Sequence, residues 1–298
     1  MSVPAAQPGD RRPIPAVVGV RHDFIEVGGM RIHLAECGQG EPVLLLHSFP
    51  QHWYEWRAML PLLAGEYRLI CPDLPGSGWS DASPGGYDTG ARARVVLGIM
   101  DRLDIPRARV IGHAWGGVAG FRLCLTSPDR VSHFLALNAT HPWPRRATAI
   151  AGAWRQWHTA FWEYPGIGRQ VLRHWPAFTG FMLRHWVAEA AAMPPDAVAE
   201  YIESSREPEH ARAGEKLNWQ YVIHDIPGLL LRGRAERLTV PTVILAGERD
   251  AVIPPRLCLG GEAHADDLRV IVAPGAGHLL PEERPELVAQ TARDLFAR

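Results

Sequence analysis

The stretch Val110-Ile111-Gly112-His113-Ala114-Trp115-Gly116-Gly117 reads as a buried strand that runs into a sharp, glycine-flanked turn and then a helix. A turn of this pattern, G-x-S-x-G, lifts one reactive side chain above the carboxyl end of a strand. Here the apical residue is Ala114, whose methyl group has no nucleophilic chemistry. The flanking glycines allow a tight bend and close approach of strand and helix, so the departure is confined to the reacting atom.

On either side of the turn, strand-like and helix-like runs alternate. Phe24-Ile25-Glu26-Val27 and Met30-Arg31-Ile32-His33-Leu34-Ala35 flank Gly28-Gly29, a hairpin pattern. Pro42-Val43-Leu44-Leu45-Leu46 is apolar at consecutive positions, as expected of a strand covered on both faces. A helix-like segment from Trp53 to Leu63, the strand-like Tyr67-Arg68-Leu69-Ile70-Cys71, a Pro/Gly/Ser loop through Gly78 and a helical run from Gly90 to Leu103 lead to the strand entering the turn, Ala108 to Gly112. The alternation predicts an α/β fold, a mostly parallel twisted sheet flanked by helices. Between Thr140 and Arg237 strand runs give way to helical spacing rich in Trp, His and Arg, which predicts an inserted helical cap. Strand signals return at Thr242 to Gly247 and Leu268 to Val272, and the chain closes with a helix from Pro285 to Phe296. The expected organisation is a flexible leader arm over 1–20, an α/β core over 21–139 and 238–298, and a cap over 140–237.

Composition narrows the partners. With 298 residues, 47% hydrophobic and 21% charged at a formal net charge of −1, the chain has no charge surplus for holding nucleic acid or an anionic membrane surface. The leader MSVPAAQPGDRRPIPAVVG lacks the apolar stretch of a secretion signal, and no run approaches the roughly eighteen apolar residues of a membrane span. Cys37, Cys71, Cys124 and Cys258 lie far apart without ligand spacing, as reduced thiols of a cytoplasmic protein would. No His/Cys/Asp cluster has metal-ligand spacing, so neither metal nor cofactor is expected. The expected partner is a small-molecule substrate, and a homodimer is compatible with the composition.

In open parallel sheets functional groups gather at the carboxyl ends of strands. Gly247-Glu248-Arg249-Asp250 places Asp250 just past one strand, and Gly275-Ala276-Gly277-His278 places His278 in a glycine loop past the last. Either residue alone would be read as structural. Elbow, then acid, then histidine, each after a strand, is the chain order of an α/β-hydrolase triad.

These motifs, with His47-Ser48-Phe49-Pro50, Asp73-Leu74-Pro75-Gly76-Ser77-Gly78-Trp79-Ser80 and Asn138-Ala139-Thr140-His141-Pro142-Trp143, make the chain similar to the epoxide hydrolase branch of the α/β-hydrolase superfamily from about Phe24 onward. Haloalkane and fluoroacetate dehalogenases are related branches. The resemblance implies an α/β-hydrolase fold with a helical cap and a two-step hydrolysis. In that family the elbow reads G-H-D-W-G-G, its aspartate attacks an epoxide carbon, and a histidine paired with an acid activates water against the resulting ester. Backbone N–H groups stabilise the oxyanion, and two cap tyrosines protonate the opening oxygen.

Carried over residue by residue, the resemblance makes His278 the base, Asp250 its orienting acid, and the N–H groups of Phe49 and Trp115 the oxyanion hole. Ala114 falls at the nucleophile position, where it cannot attack. Ser48 replaces the glycine of H-G-x-P, a glycine whose freedom in φ helps to shape the oxyanion loop. The first cap tyrosine, about seven residues before Pro165-Gly166, falls on His158, and the second falls on Asn218 or Gln220, beside Tyr221.

One substitution would leave Ser48, His158 and the missing second tyrosine unexplained, so the departures together favour loss of the covalent mechanism with general acid–base chemistry retained. The expected protein is a cofactor-independent enzyme of specialised, polyketide-like metabolism. Its candidate reactions are direct epoxide opening by water, proton abstraction followed by addition, or ring formation. The alternatives are an epoxide hydrolase inactivated by an aspartate-to-alanine change at position 114 and a non-catalytic ligand-binding pseudoenzyme. Many of the tryptophans fall in the cap segment, and Trp115 and Trp157 adjoin site positions, which suits a large apolar or aromatic ligand. His47, Ser48, His113, Trp157, His158, Asn218, Gln220 and Tyr221 are the candidate substrate-facing residues, His113 being the one that reads more as a structural neighbour of the elbow than as a second base.

Overall fold

Gly28 and Gly29, at φ 57° and 76°, turn β1 (Arg21–Val27) back onto β2 (Met30–Cys37), starting an eight-stranded sheet. The structure, a computed structural model, describes residues 12–143, 160–228 and 236–298. β2 pairs antiparallel with β4 (Tyr67–Pro72), and all later pairings are parallel: β3 (Glu41–Leu46), β5 (Ala108–His113), β6 (Val131–Leu137), β7 (Thr242–Gly247) and β8 (Leu268–Ala273). The spatial order is β1-β2-β4-β3-β5-β6-β7-β8. This is the α/β-hydrolase fold expected from the sequence.

The two-residue period of a strand explains why both faces are apolar. In β3, Leu44 and Leu46 join one core cluster while Val43 and Leu45 join the other. Helices α1 (Thr89–Arg102) and α2 (Trp115–Thr126) send Val96, Ile99, Met100 and Leu123 into the first cluster. Asp88 caps α1 by accepting from the Ala91 N–H at 2.9 Å.

Between β6 and β7 lie α3 (Gly168–His174), α4 (Pro176–Trp186), α5 (Pro195–Arg206) and α6 (Pro208–Gln220), followed by a π-helical turn, Tyr221–Asp225. Three of these helices open on proline, whose missing N–H costs nothing in the first turn. Their apolar faces form a third core with Phe178, Met182, Trp186, Tyr201 and Leu217, which also takes in Phe49 and Leu279 from the loops after β3 and β8. The final helix, α7 (Pro285–Phe296), packs Val288, Ala289, Ala292 and Leu295 against the second cluster.

The chain leaves β3 for β4 on one side and leaves β5 for β6 on the other, so the connections after these two neighbouring strands diverge. Such a switch point opens the crevice in which open α/β sheets hold their ligands. The loop carrying Phe49 and the turn carrying Ala114 stand on its two sides.

The leader differs from expectation where it is described. The Arg12 guanidinium pairs with Glu200 and Glu207 (3.0 Å) from the helical segment and donates to the Gly78 carbonyl at 3.1 Å. It lies 3.9 Å over the Trp79 ring, whose Nε1 donates to the Arg12 carbonyl at 2.9 Å. Ile14, Val17 and Val20 pack on the second core cluster. Residues 12–20 are therefore a tethered strap rather than a loose arm. Arg12 is the anchor, and its partners lie far along the chain.

Candidate active site

β5 ends at His113 and α2 begins at Trp115, so Ala114 makes the reversal by itself, at φ 42° and ψ −104°. A non-glycine residue in such a region carries on the order of 1–3 kcal/mol of backbone strain. Two hydrogen bonds of 2.9 Å hold it, from the Ala114 N–H to the Leu137 carbonyl and from the Val118 N–H to the Ala114 carbonyl. The flanking glycines are required by space. A β-carbon on Gly116 would enter the backbone of Leu46 and His47, and one on Gly112 would strike the backbone of Gly116.

His278 and Asp250 meet as the sequence suggested, with Nδ1 2.7 Å from Oδ2 and both residues buried. Asp250 is fully engaged: Oδ1 accepts from the N–H groups of Val252 (2.7 Å) and Ile253 (2.8 Å), and Oδ2 also accepts from Asn138 Nδ2. These bonds fix its orientation. Holding the Nδ1 proton toward Asp250 leaves Nε2 as the nitrogen able to exchange a proton with a ligand. The His278 N–H donates to the Trp186 carbonyl at 2.7 Å, and the Trp186 ring meets the imidazole edge-on at 5.8 Å, so α4 holds the His278 loop.

Behind the elbow lies a buried pair that sequence reasoning missed. Glu55 Oε2 is 3.0 Å from His113 Nδ1, Glu55 Oε1 accepts from the Ser48 N–H at 3.2 Å, and His113 Nε2 donates to the His278 carbonyl at 2.8 Å. Burial pushes the Glu55 carboxyl up. Burial also opposes charge on His113, but Glu55 outweighs it and raises the imidazole pKa. The acid within Trp53-Tyr54-Glu55-Trp56, flanked by aromatic residues, was the available signal. Asn138 was also missed as a site residue, although it stands at the carboxyl end of β6; it reaches Asp250 and the Gly277 carbonyl with one amide.

His47 is a neutral, two-way hydrogen-bonding post. Its Nδ1 donates to the Ser48 carbonyl at 2.6 Å and its Nε2 accepts from the Leu74 N–H at 2.8 Å. Burial lowers its pKa to about 4. Ser48 is absent from the residues at positive φ, so this loop does not use the backbone freedom of a glycine at that position, and the serine is accommodated without strain. Among the described residues the N–H groups of Phe49 and Trp115 have no hydrogen-bond partner. The Trp115 carbonyl accepts from Nη1 of Arg92 at 2.9 Å, and burial lowers the pKa of that guanidinium to about 10.

The three candidates around the second tyrosine position separate cleanly. The Asn218 amide donates to the Gly214 carbonyl of its own helix at 2.8 Å, and Gln220 Oε1 accepts from the Tyr87 N–H at 2.5 Å. Tyr221 instead sets its ring edge-on to Trp115 with centroids 5.0 Å apart, and its hydroxyl reaches Thr140. Burial raises its pKa to about 12, so the phenol keeps its proton at neutral pH. It sits in a π-helical turn, a break in helix regularity frequent at functional sites. Trp157 and His158 lie outside the described residues.

The switch-point crevice, the strained elbow and the His–Asp pair at neighbouring strand ends define an α/β hydrolase. The chain belongs to the alpha/beta hydrolase fold family, whose profile matches residues 41–285. It is 28% identical over 291 residues to the soluble epoxide hydrolase of Corynebacterium sp. (strain C12), spanning 93% of this chain and 98% of that protein. Cfl2 from Burkholderia cenocepacia superposes with a TM-score of 0.85 at 29% identity over 96% of this chain and 98% of Cfl2. The epoxide hydrolase CorEH superposes with a TM-score of 0.80 at 25% identity over 93% and 99% of the two chains. The chain is thus an epoxide hydrolase-like member of the family.

Proposed function

We propose that the chain is a cofactor-independent enzyme that uses His278, oriented by Asp250, as general acid and base without a covalent nucleophile. The observation that carries this reading is the Ala114 methyl at the apex of the elbow beside a His278–Asp250 pair whose carboxylate is fixed by hydrogen bonds. The base takes a proton at Nε2 from water, a phenol or a carbon acid and returns it to the product oxygen or carbon, so no ester forms at position 114. The N–H groups of Phe49 and Trp115 are free to receive the developing oxyanion or enolate, a large stabilising contribution in a site closed to water. Tyr221, protonated at neutral pH, accepts from Thr140 and keeps its own hydroxyl proton to donate to the substrate. The helices α3–α6 act as a cap whose aromatic core suits a large apolar or aromatic substrate of specialised metabolism.

A second reading has its own support. Ala114 keeps a backbone conformation costly for alanine, the one a displayed carboxylate requires, as expected of an epoxide hydrolase inactivated by an aspartate-to-alanine change. Ala114→Asp assayed against aryl and alkyl epoxides decides between them. Under the first reading the variant stays inactive as a hydrolase, whereas strong diol formation establishes the second. If neither form converts any substrate while calorimetry records tight product-like binding, the chain is a binding protein.

A further inference from the structure

A cavity of about 450 Å³ lies beside the elbow rather than in front of it. One wall is a face of α2, where Val118, Phe121 and Leu125 recur at helical spacing, with Pro142 completing the apolar floor. Opposite are the first turn of α1 and the stretch from Tyr221 to Gly228. The cleft shares a partition with the reacting centre. Val118 is one turn beyond Ala114 and bonded to its carbonyl, and Tyr221, with Thr140, lines the cleft while its ring abuts Trp115.

The charges around the cleft do not balance in what they offer a ligand. Its acids are already engaged: Asp88 caps α1 at Ala91, Asp225 accepts from the Thr89 N–H at 3.1 Å, and Glu236 pairs with Arg122 at 2.8 Å. Arg94, exposed on the same rim, has no acidic partner among the described residues, and His224 adds a second exposed donor. An apolar floor with an unpaired cation at its edge selects a molecule with an apolar or aromatic body and an anionic end.

We infer that this cleft is a binding site for an amphipathic organic anion, a carboxylate or sulfonate on an aromatic or aliphatic body, which enters past Tyr221. Calling that anion the substrate rests on the proposed acid–base function; the binding site itself does not. Tyr221 then has two tasks, closing the partition and presenting its hydroxyl to the end of the ligand that reaches the elbow.

The probe is 8-anilinonaphthalene-1-sulfonate, followed by fluorescence under native conditions with the full chain. Wild type is expected to bind it saturably at one site. Arg94→Glu and Leu125→Trp each weaken it at least about fivefold, and Arg94→Lys retains it. Arg94 is exposed, so its variants fold regardless of how Leu125→Trp is tolerated. The competing location is the exposed aromatic patch of Phe161, Trp175 and Phe181 on the helical segment. Trp175→Ser therefore leaves the probe's affinity unchanged if the cleft is the site. Absence of saturable binding, binding indifferent to Arg94→Glu, or loss of binding in Trp175→Ser overturns the proposal. His278→Ala is expected to keep the probe's affinity whether or not it abolishes turnover, so failure of the acid–base reading and failure of the cleft are read separately.

Discussion

His113 Nε2 donates across 2.8 Å to the backbone carbonyl of His278, tying the elbow strand directly to the loop after β8. Because Glu55 holds the other nitrogen of His113 and also the Ser48 N–H, one buried pair joins the loops after β3, β5 and β8. His113→Ala leaves Glu55 Oε2 and the His278 carbonyl unpartnered in an apolar interior. We expect a loss of about 2–4 kcal/mol in chemical denaturation. Glu55→Gln, which can still accept from Ser48 and donate to Nδ1, is expected to keep most of that stability. Equal losses in both variants would show that charge rather than hydrogen bonding matters at this junction.

His278→Ala and Asp250→Asn test the proposed chemistry at its centre. Removing the base is expected to lower turnover of the true substrate by about 10²–10⁴, the usual contribution of a placed general acid or base. Asp250→Asn keeps the shape but no longer holds the imidazole by charge, so a loss approaching that of His278→Ala is expected. A His278→Ala enzyme with unchanged turnover would end the acid–base reading.

Strain at the elbow can be measured directly. Ala114→Gly relieves a positive φ that alanine tolerates poorly, and the relief outweighs the extra freedom of the unfolded chain. Stabilisation by about 1 kcal/mol is expected in thermal or denaturant unfolding. The same substitution at Ala119, inside α2, is expected to destabilise by about 1 kcal/mol or more.

Acid should weaken the fold partly through His47. Its pKa is lowered from 6.5 to about 4 by burial, so between those values the unfolded chain binds a proton that the folded chain refuses. Stability present at neutral pH is therefore lost as pH falls from about 6.5 toward 4, by on the order of 3 kcal/mol from this group alone. His47→Gln lowers stability at neutral pH but flattens the pH dependence in that window. An unchanged slope would mean that His47 titrates normally.

The two ends of the helical segment's hold on the core can also be separated. Arg12→Ala removes the strap that joins Glu200 and Glu207 to the loop at Gly78. Faster amide hydrogen exchange is expected in Pro195–Arg206, with exchange in β3 and β5 unchanged.

How much could be read before the chain was seen folded depended on the range of each signal. Strands β3 and β7 are short apolar runs covered on both faces, and the period of their residues announces them locally. Ala114, Asp250 and His278 were legible because each lies in the turn or loop that follows a strand, and a parallel sheet delivers every strand's carboxyl end to one edge. Glu55 and Asn138 were not, because their partners lie 58 and 112 residues away. The strap was misread for the same reason, since Arg12 meets Glu200 across 188 residues.

By itself the sequence determined the α/β-hydrolase fold, the place of Ala114 at the apex of the turn and the His278–Asp250 pairing, because local periodicity and chain order suffice for these. Only the tertiary structure decided that Tyr221, rather than Asn218 or Gln220, meets Trp115, and that a polar-rimmed cleft adjoins the elbow. Those choices depend on the rotation of α6 and the π-helical turn against the core. Rotation there is set by packing between residues more than a hundred positions apart, which no local pattern encodes.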